Sequence, residues 1–139
     1  MRYLAIDLGE KRTGLAVGDD ETGNAFPVDV IERPLGGASA GGALLEAIAD
    51  AAKSHNAHAV VVGLPLNMDG TDSPGAKRAR AFAQRISART QLPVAFQDER
   101  LTSAEADWIM AQSGLTHKAK KERRDALAAA AILRDFLNK

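Results

Sequence analysis

Arg2-Tyr3-Leu4-Ala5-Ile6-Asp7-Leu8-Gly9-Glu10-Lys11-Arg12-Thr13-Gly14-Leu15-Ala16-Val17-Gly18-Asp19 is the stretch that decides the fold. An apolar run over 2–8 carries an acid near its end. The polar turn Glu10-Lys11-Arg12 follows, and a second run of small apolar residues leads away over 13–19. Two extended segments joined by so short a connection form an antiparallel hairpin. A turn over 20–24 and a stretch over 27–33 add a third antiparallel strand. The pattern then changes. Leu44, Leu45, Ile48, Ala51 and Ala52 recur at helical spacing, which predicts a helix over 42–55. Residues 57–64 are almost continuously apolar, as in a strand covered on both faces.

Beyond the loop 65–72, Ser73-Pro74 supplies an N-cap and a first-turn proline for a helix running to about Thr90. Residues 93–98 make a fifth strand. Thr102 and Glu105 have capping-box spacing for a helix that Gly114 closes. Residues 115–122 read as a basic loop, and a last helix covers 123–137. The order βββ-α-β-α-β-α-α predicts one α/β domain over 1–139. Its mixed five-stranded sheet has three antiparallel meander strands plus two parallel strands, right-handed crossovers and helices on both faces. Ligands of such sheets collect beyond the carboxyl ends of the parallel strands.

Composition narrows the class. With 45% hydrophobic and 26% charged residues, the 139-residue chain is an ordinary globular sequence rather than a disordered one. The absence of cysteine excludes a disulfide framework and a thiolate zinc site. His55, His58 and His117 lack metal-ligand spacing, and no Ser/His/Asp grouping stands out. No apolar run reaches membrane-spanning length and the chain opens directly into a strand, so a cytoplasmic location without membrane association is expected. The formal net charge is zero, yet residues 1–75 carry a net −6 and residues 76–139 a net +6. That asymmetry predicts a face for a polyanion, with a merely solvated basic helix as the alternative.

Three acids stand out against this frame. Asp7 ends the first strand, Glu99 follows the fifth, and Asp125 opens the alanine-rich stretch 125–133. Carboxylates at the ends of buried elements need compensation. Three that converge would suit Mg²⁺ or Mn²⁺, with water sites left for phosphates. Strand alternation sends Asp98 and Glu99 to opposite sides, and Glu99, at the very end, is the choice for the site. For Asp125 the simpler alternative is a first-turn acid that complements the helix dipole. Lys11, Arg12 and Arg100 are placed to reach a polyanion, and Asn67 and Asp69 to contact substrate or order water. Lys118 and Lys121 belong to a basic stretch beside the acids. Asn, Asp and Gly are also ordinary turn residues.

Together these segments resemble the YqgF family, also called RuvX, of RNase H-like proteins. The resemblance rests on Asp7-Leu8-Gly9 with Lys11-Arg12-Thr13-Gly14, and on Gly63-Leu64-Pro65-Leu66-Asn67-Met68-Asp69-Gly70. It continues through Asp98-Glu99-Arg100-Leu101-Thr102-Ser103-Ala104, Lys118, and Asp125-Ala126 with Ala128, Ala129, Ile132 and Leu133. It implies an RNase H-like fold and a metal-dependent nuclease in which Asp7, Glu99 and Asp125 bind Mg²⁺. Pre-16S rRNA is the favoured substrate and junction DNA the second; the ribosome is an implied partner, and monomer and homodimer both stay open. A ribosome-assembly factor with little catalysis of its own is the non-enzymatic alternative. In such a sheet the strand ending at Leu64 lies between those carrying Asp7 and Glu99. The added interstrand spacing of about 4.8 Å predicts an open site, or one that assembles on substrate.

Overall fold

The computed structural model describes residues 1–36, 40–100 and 117–139, with side chains for all of these except 117–122. Three strands, β1 (Arg2–Asp7), β2 (Thr13–Asp19) and β3 (Ala25–Ile31), open the chain. They are followed by α1 (Gly42–Ser54), β4 (Ala59–Leu64), α2 (Pro74–Thr90), β5 (Val94–Asp98) and α3 (His117–Leu137). The sheet order is β3-β2-β1-β4-β5. β1 pairs antiparallel with β2 (Leu4 opposite Val17, Asp7 opposite Gly14), and β2 antiparallel with β3. β1–β4 and β4–β5 are parallel. The meander-plus-parallel architecture expected of the sequence is therefore the one observed.

Strand alternation creates two cores. Leu4, Ile6, Leu15, Val60, Val62 and Leu64 project toward α1 and α2 and meet Leu44, Ile48, Phe82 and Ile86. Ala5, Ala16 and Val61 project the other way, where Ala129, Ala130, Ile132 and Leu133 of α3 cover them. The sheet residues facing α3 are small, so that helix lies close. Each fully buried Leu, Ile or Val contributes roughly 1.5–3 kcal/mol. Every residue of β4 is buried, as a strand covered on both faces requires.

Local signals in the sequence appear as geometry. Ser73 accepts a hydrogen bond from the Ala76 N–H (3.0 Å) and donates its hydroxyl proton to the Pro65 carbonyl, which fastens the start of α2 to the exit of β4. β3 begins at Ala25, two residues before the expected start. The largest correction concerns the C-terminal helix. It begins at His117 rather than 123, so the basic stretch preceding Asp125 forms helical turns and not a loop. Asp125 consequently lies in the third turn, and the first-turn dipole reading does not apply to it. The helix expected between Thr102 and Gly114 lies outside the described residues.

Thr13 is the one buried polar side chain among the described residues, and its Oγ1 has no hydrogen-bond partner among them. An unsatisfied buried hydroxyl opposes folding. Thr13→Val, which keeps the shape and removes the hydroxyl, is expected to stabilise the protein by about 1 kcal/mol. The check is a higher urea midpoint at unchanged m-value.

Candidate active site

The carboxyl ends of β1, β4 and β5 share one edge of the molecule because these strands are parallel. Asp7 is the last residue of β1. Glu99 follows β5 directly, and its N–H donates to the Leu64 carbonyl at 3.1 Å, which ties its backbone to the end of β4. The axes of β1 and β5 are separated by β4, about 10 Å in all. The two carboxyl groups nevertheless share a hydrogen bond.

Gly63 makes that contact possible. A Cβ built on it would run into Glu99 Oε2 and stand 2.6 Å from Ile132 Cδ1. The space a side chain would fill on β4 is the space through which Glu99 reaches Asp7. The open site expected from the strand spacing is thus replaced by a closed pair. An isolated glycine within a strand is a sequence signal for close approach, and here it marks where a side chain passes.

A second glycine sets Asp125. Gly14 lies opposite Asp7 in the β1–β2 ladder, and a Cβ there would overlap the Asp125 carbonyl and approach Ala126 N to 2.7 Å. The backbone of α3 therefore rests directly on β2 beside Asp7. Asp125 Oδ2 lies 3.5 Å from Arg12 Nε, and its charge acts on Asp7.

The electrostatics follow from crowding acids where water is scarce. Burial first, and the Asp125 charge second, push the Asp7 carboxyl up to about 6 despite the opposing effect of its hydrogen bond with Glu99. Burial first, then the Asp7 charge, the hydrogen bond to Asp7 and the Asp98 charge push Glu99 up to about 8. Both carboxyls are held above their ordinary range by the same crowding, so near neutral pH the pair keeps a proton in the hydrogen bond between them. Among the described residues, no three His, Cys, Asp or Glu side chains are gathered tightly enough to enclose a metal by themselves.

The remaining expected contacts divide. Asp98 points away from Asp7 and binds Arg100, accepting from its Nε at 2.7 Å, with Nη2 at 2.6 Å and the Arg100 N–H at 2.9 Å. Arg100 Nη1 also donates to the Met68 carbonyl at 3.1 Å. This guanidinium fastens the 65–72 loop to the end of β5, and that engagement leaves it ill suited to a phosphate. Asn67 Nδ2 donates to Thr71 Oγ1 at 3.0 Å, and Asp69 accepts from the same hydroxyl at 2.6 Å, so both close the loop on itself. Lys11 is exposed on the β1–β2 turn beside Arg12. The side chains of Lys118 and Lys121 lie outside the described residues. Gly63 and Gly14 emerge as positioning residues only in the structure, their signal in the sequence being an isolated glycine within a strand.

A family model described as RuvX, Holliday junction resolvase, matches residues 1–139. A protein from Anaeromyxobacter sp. (strain K) named "Putative pre-16S rRNA nuclease" is 42% identical over 139 residues, covering 100% of this chain and 98% of that one. A protein of the same name from Pelotomaculum thermopropionicum is 36% identical over 138 residues, covering 99% and 87%. Among solved structures, Thermus thermophilus RuvC in complex with a Holliday junction substrate superposes with a TM-score of 0.62 at 15% identity, over 99% of this chain and 94% of that one. The fowlpox virus resolvase with Holliday junction DNA gives 0.62 at 12% identity, over 99% and 97%. At such identities these likenesses speak for the fold alone, and the fold is RNase H-like.

Two predictions follow from the acid pair. Both groups ionise later in the folded chain than in the unfolded one. Their contribution to stability is fully present below about pH 4 and fades as pH climbs through about 6 for Asp7 and about 8 for Glu99. Chelator-treated protein should therefore lose about 5 kcal/mol of stability between about pH 5 and about pH 8. Glu99→Gln, which keeps a donor but cannot ionise, should abolish most of that slope in a urea-unfolding series. Gly63→Ala should cost about 1–3 kcal/mol at the acidic end, through overpacking against Ile132 and Glu99. It should also flatten the profile, because Glu99 is displaced toward water; a profile as steep as wild type would exclude the role given to Gly63.

Proposed function

The chain belongs to the RuvX (YqgF) family, and on that premise we propose that it is a divalent-metal-dependent endonuclease of structured nucleic acid, with the 5′ end of pre-16S rRNA as its favoured substrate. The observation that carries the reading is the meeting of Glu99 with Asp7 across Gly63, with Asp125 held alongside by Gly14. Two carboxyl groups in contact at a sheet edge, with the charge of a third acting on them, cost free energy unless compensated, so stability alone does not account for them. The names of the curated relatives favour pre-16S rRNA. Four-way DNA junctions are the second reading, favoured by the description of the matching family model.

The donor set fits Mg²⁺ or Mn²⁺. All three candidate ligands are hard carboxylate oxygens, and the proton shared by Asp7 and Glu99 supplies the compensation that a cation would otherwise bring. Mg²⁺ is commonly held by one or two carboxylates together with substrate phosphates and water, so a full protein cage is unnecessary. Asp7 and Glu99 would hold the ion and Asp125 would complete its anionic surround. When bound, the ion supplies Lewis-acid stabilisation of charge on a phosphodiester attacked in line by water. The chain itself contributes orientation. β1 and the Leu64 carbonyl fix the two acids, α3 fixes the third, and Arg12 balances Asp125 from the turn.

Among the described residues no helix is long and apolar enough to cross a membrane. A cytoplasmic enzyme working with the ribosome, as monomer or homodimer, is the setting we propose.

Wild type and Asp7→Asn should be compared for Mg²⁺-dependent cleavage of a 5′-extended 16S rRNA precursor and of a four-way DNA junction. Loss of a group that merely orients a metal ligand typically costs about 10–100-fold, so removal of this carboxylate should lower cleavage by at least about 100-fold. The variant should remain folded, because the substitution removes a charge that is costly to bury. Chelation should abolish cleavage by wild type. Cutting confined to the junction would select the second reading, and full activity in Asp7→Asn would overturn both.

A further inference from the structure

Five arginines that meet carboxylates fall into two groups by how they are paired. Arg80 binds Asp72 through Nε (2.8 Å) and Nη2 (3.2 Å), and Arg89 binds Glu46 through the same two nitrogens (2.7 and 2.8 Å). Arg100 is held to Asp98 at 2.6–2.7 Å. Such two-pronged, charge-assisted bonds are the strong ones. Arg12 and Arg78 are different. Each meets a carboxylate at a single loose distance, 3.5 Å to Asp125 and 3.6 Å to Glu10 respectively, and both side chains are more than half exposed. Exposed pairs of this kind contribute little and exchange readily for another anion.

The two loosely held arginines meet at one feature, the β1–β2 turn: Arg12 belongs to it, and Arg78 reaches it through Glu10 from the opposite face of the sheet. Arg12 reaches toward α3. Arg78 comes from α2, which packs on the other face. The capped start of α2 is fastened to the exit of β4, so its first turns stand at the edge that carries Asp7 and Glu99. Side chains on a helix lean toward its N-terminus, and Arg78 Nη2 does so, lying 3.8 Å from where a Cβ on Gly75 would be. Lys77, next to it, is exposed and has no ion pair among the described residues. Arg89, at the far end of the same helix, is roughly 16 Å away along the axis.

We propose that Arg78, seconded by Lys77, is a contact for the phosphodiester backbone of nucleic acid, so that a bound strand crosses the sheet edge from Arg12 to Arg78 with the acid pair between them. This deepens the nuclease reading and rests on it. Glu10 is then a gate on Arg78: it occupies the guanidinium until a phosphate replaces it. The tightly paired Arg100 lies outside this path.

The test is the salt dependence of binding, measured by fluorescence anisotropy with Mg²⁺ present. The full chain carrying Asp7→Asn, the parent, is titrated against the rRNA precursor fragment and the four-way DNA junction. Each lost phosphate contact lowers the log–log salt slope by about 0.7 on single strands and about 0.9 on B-form duplex. Arg78→Ala should lower the slope by one such step and weaken binding several-fold. Arg78→Lys should keep the slope, and Arg89→Ala, the same charge change on the same helix, should leave it untouched. Glu10→Ala, which frees Arg78, should tighten binding, a gain that misfolding cannot produce. An unchanged slope in Arg78→Ala, or equal losses in Arg78→Ala and Arg89→Ala, overturns this inference and leaves the nuclease reading standing. Failure of the parent to bind either nucleic acid overturns the inference, and absence of wild-type cleavage as well shows that the nuclease reading fails with it. A loss seen on only one probe supports the contact and identifies which backbone follows this path.

Discussion

The hydrogen bond between Glu99 and Asp7 is the interaction on which the functional edge depends, and it exists because β4 carries a glycine where it passes between them. Neither acid belongs to the strand that separates them. β1 delivers Asp7 through its ladder with β2, and the Leu64 carbonyl anchors the residue after β5. With a side chain at 63, an obstacle would stand between two acids carried by strands whose axes lie about 10 Å apart. With glycine, the same backbone brings them into contact. Burial then forces the pair to retain a proton, or to accept a cation in its place.

The same logic recurs one strand away. Ala5, Ala16 and Val61 give α3 a shallow surface, and Gly14 removes the last obstruction where Asp125 passes. The helix is held along its length by Leu133 near Gly18 and by a Tyr3–Phe136 edge contact at 5.5 Å between ring centroids. Asp125 is thus placed by packing distributed over several turns and not by a local cap. A change far along α3 would be felt at the carboxylate through this rigid body.

Much of this was legible in the sequence, and the parts that were not share a cause. The hairpin, the buried run over 59–64 and the Ser73-Pro74 start each announce themselves through short-range rules, and the structure follows them within a residue or two at most boundaries. The alternation that separates Asp98 from Glu99 is equally local. The start of α3 is hidden from the hydrophobic pattern because its opening turns carry Lys, Glu and Arg without an apolar period; those residues are strong helix formers, and here propensity outweighs the missing pattern. The closed acid pair is not legible in the sequence, because interstrand spacing alone puts the two acids out of reach of each other. A glycine in a strand reads locally as a weak point, and its use as a passage appears only when three strands are seen together.

Charge illustrates the limit most clearly. The halves of the chain differ by twelve formal charges, from −6 to +6, which invites a picture of one basic face. Folding undoes part of that contrast. Arg80 and Arg89 from the basic half are neutralised at short range by Asp72 and Glu46 from the acidic half. Paired so tightly, they serve to hold α2 to its own capping loop and to α1. What remains for a polyanion is set by the geometry of each pair and not by the count of cations. A guanidinium held by two short bonds would have to lose both before it met a phosphate, whereas one at 3.6 Å from the exposed Glu10 carboxylate gives up little. The distinction makes a neutral chain compatible with a polyanionic partner: its cations need only be loosely held beside the acids.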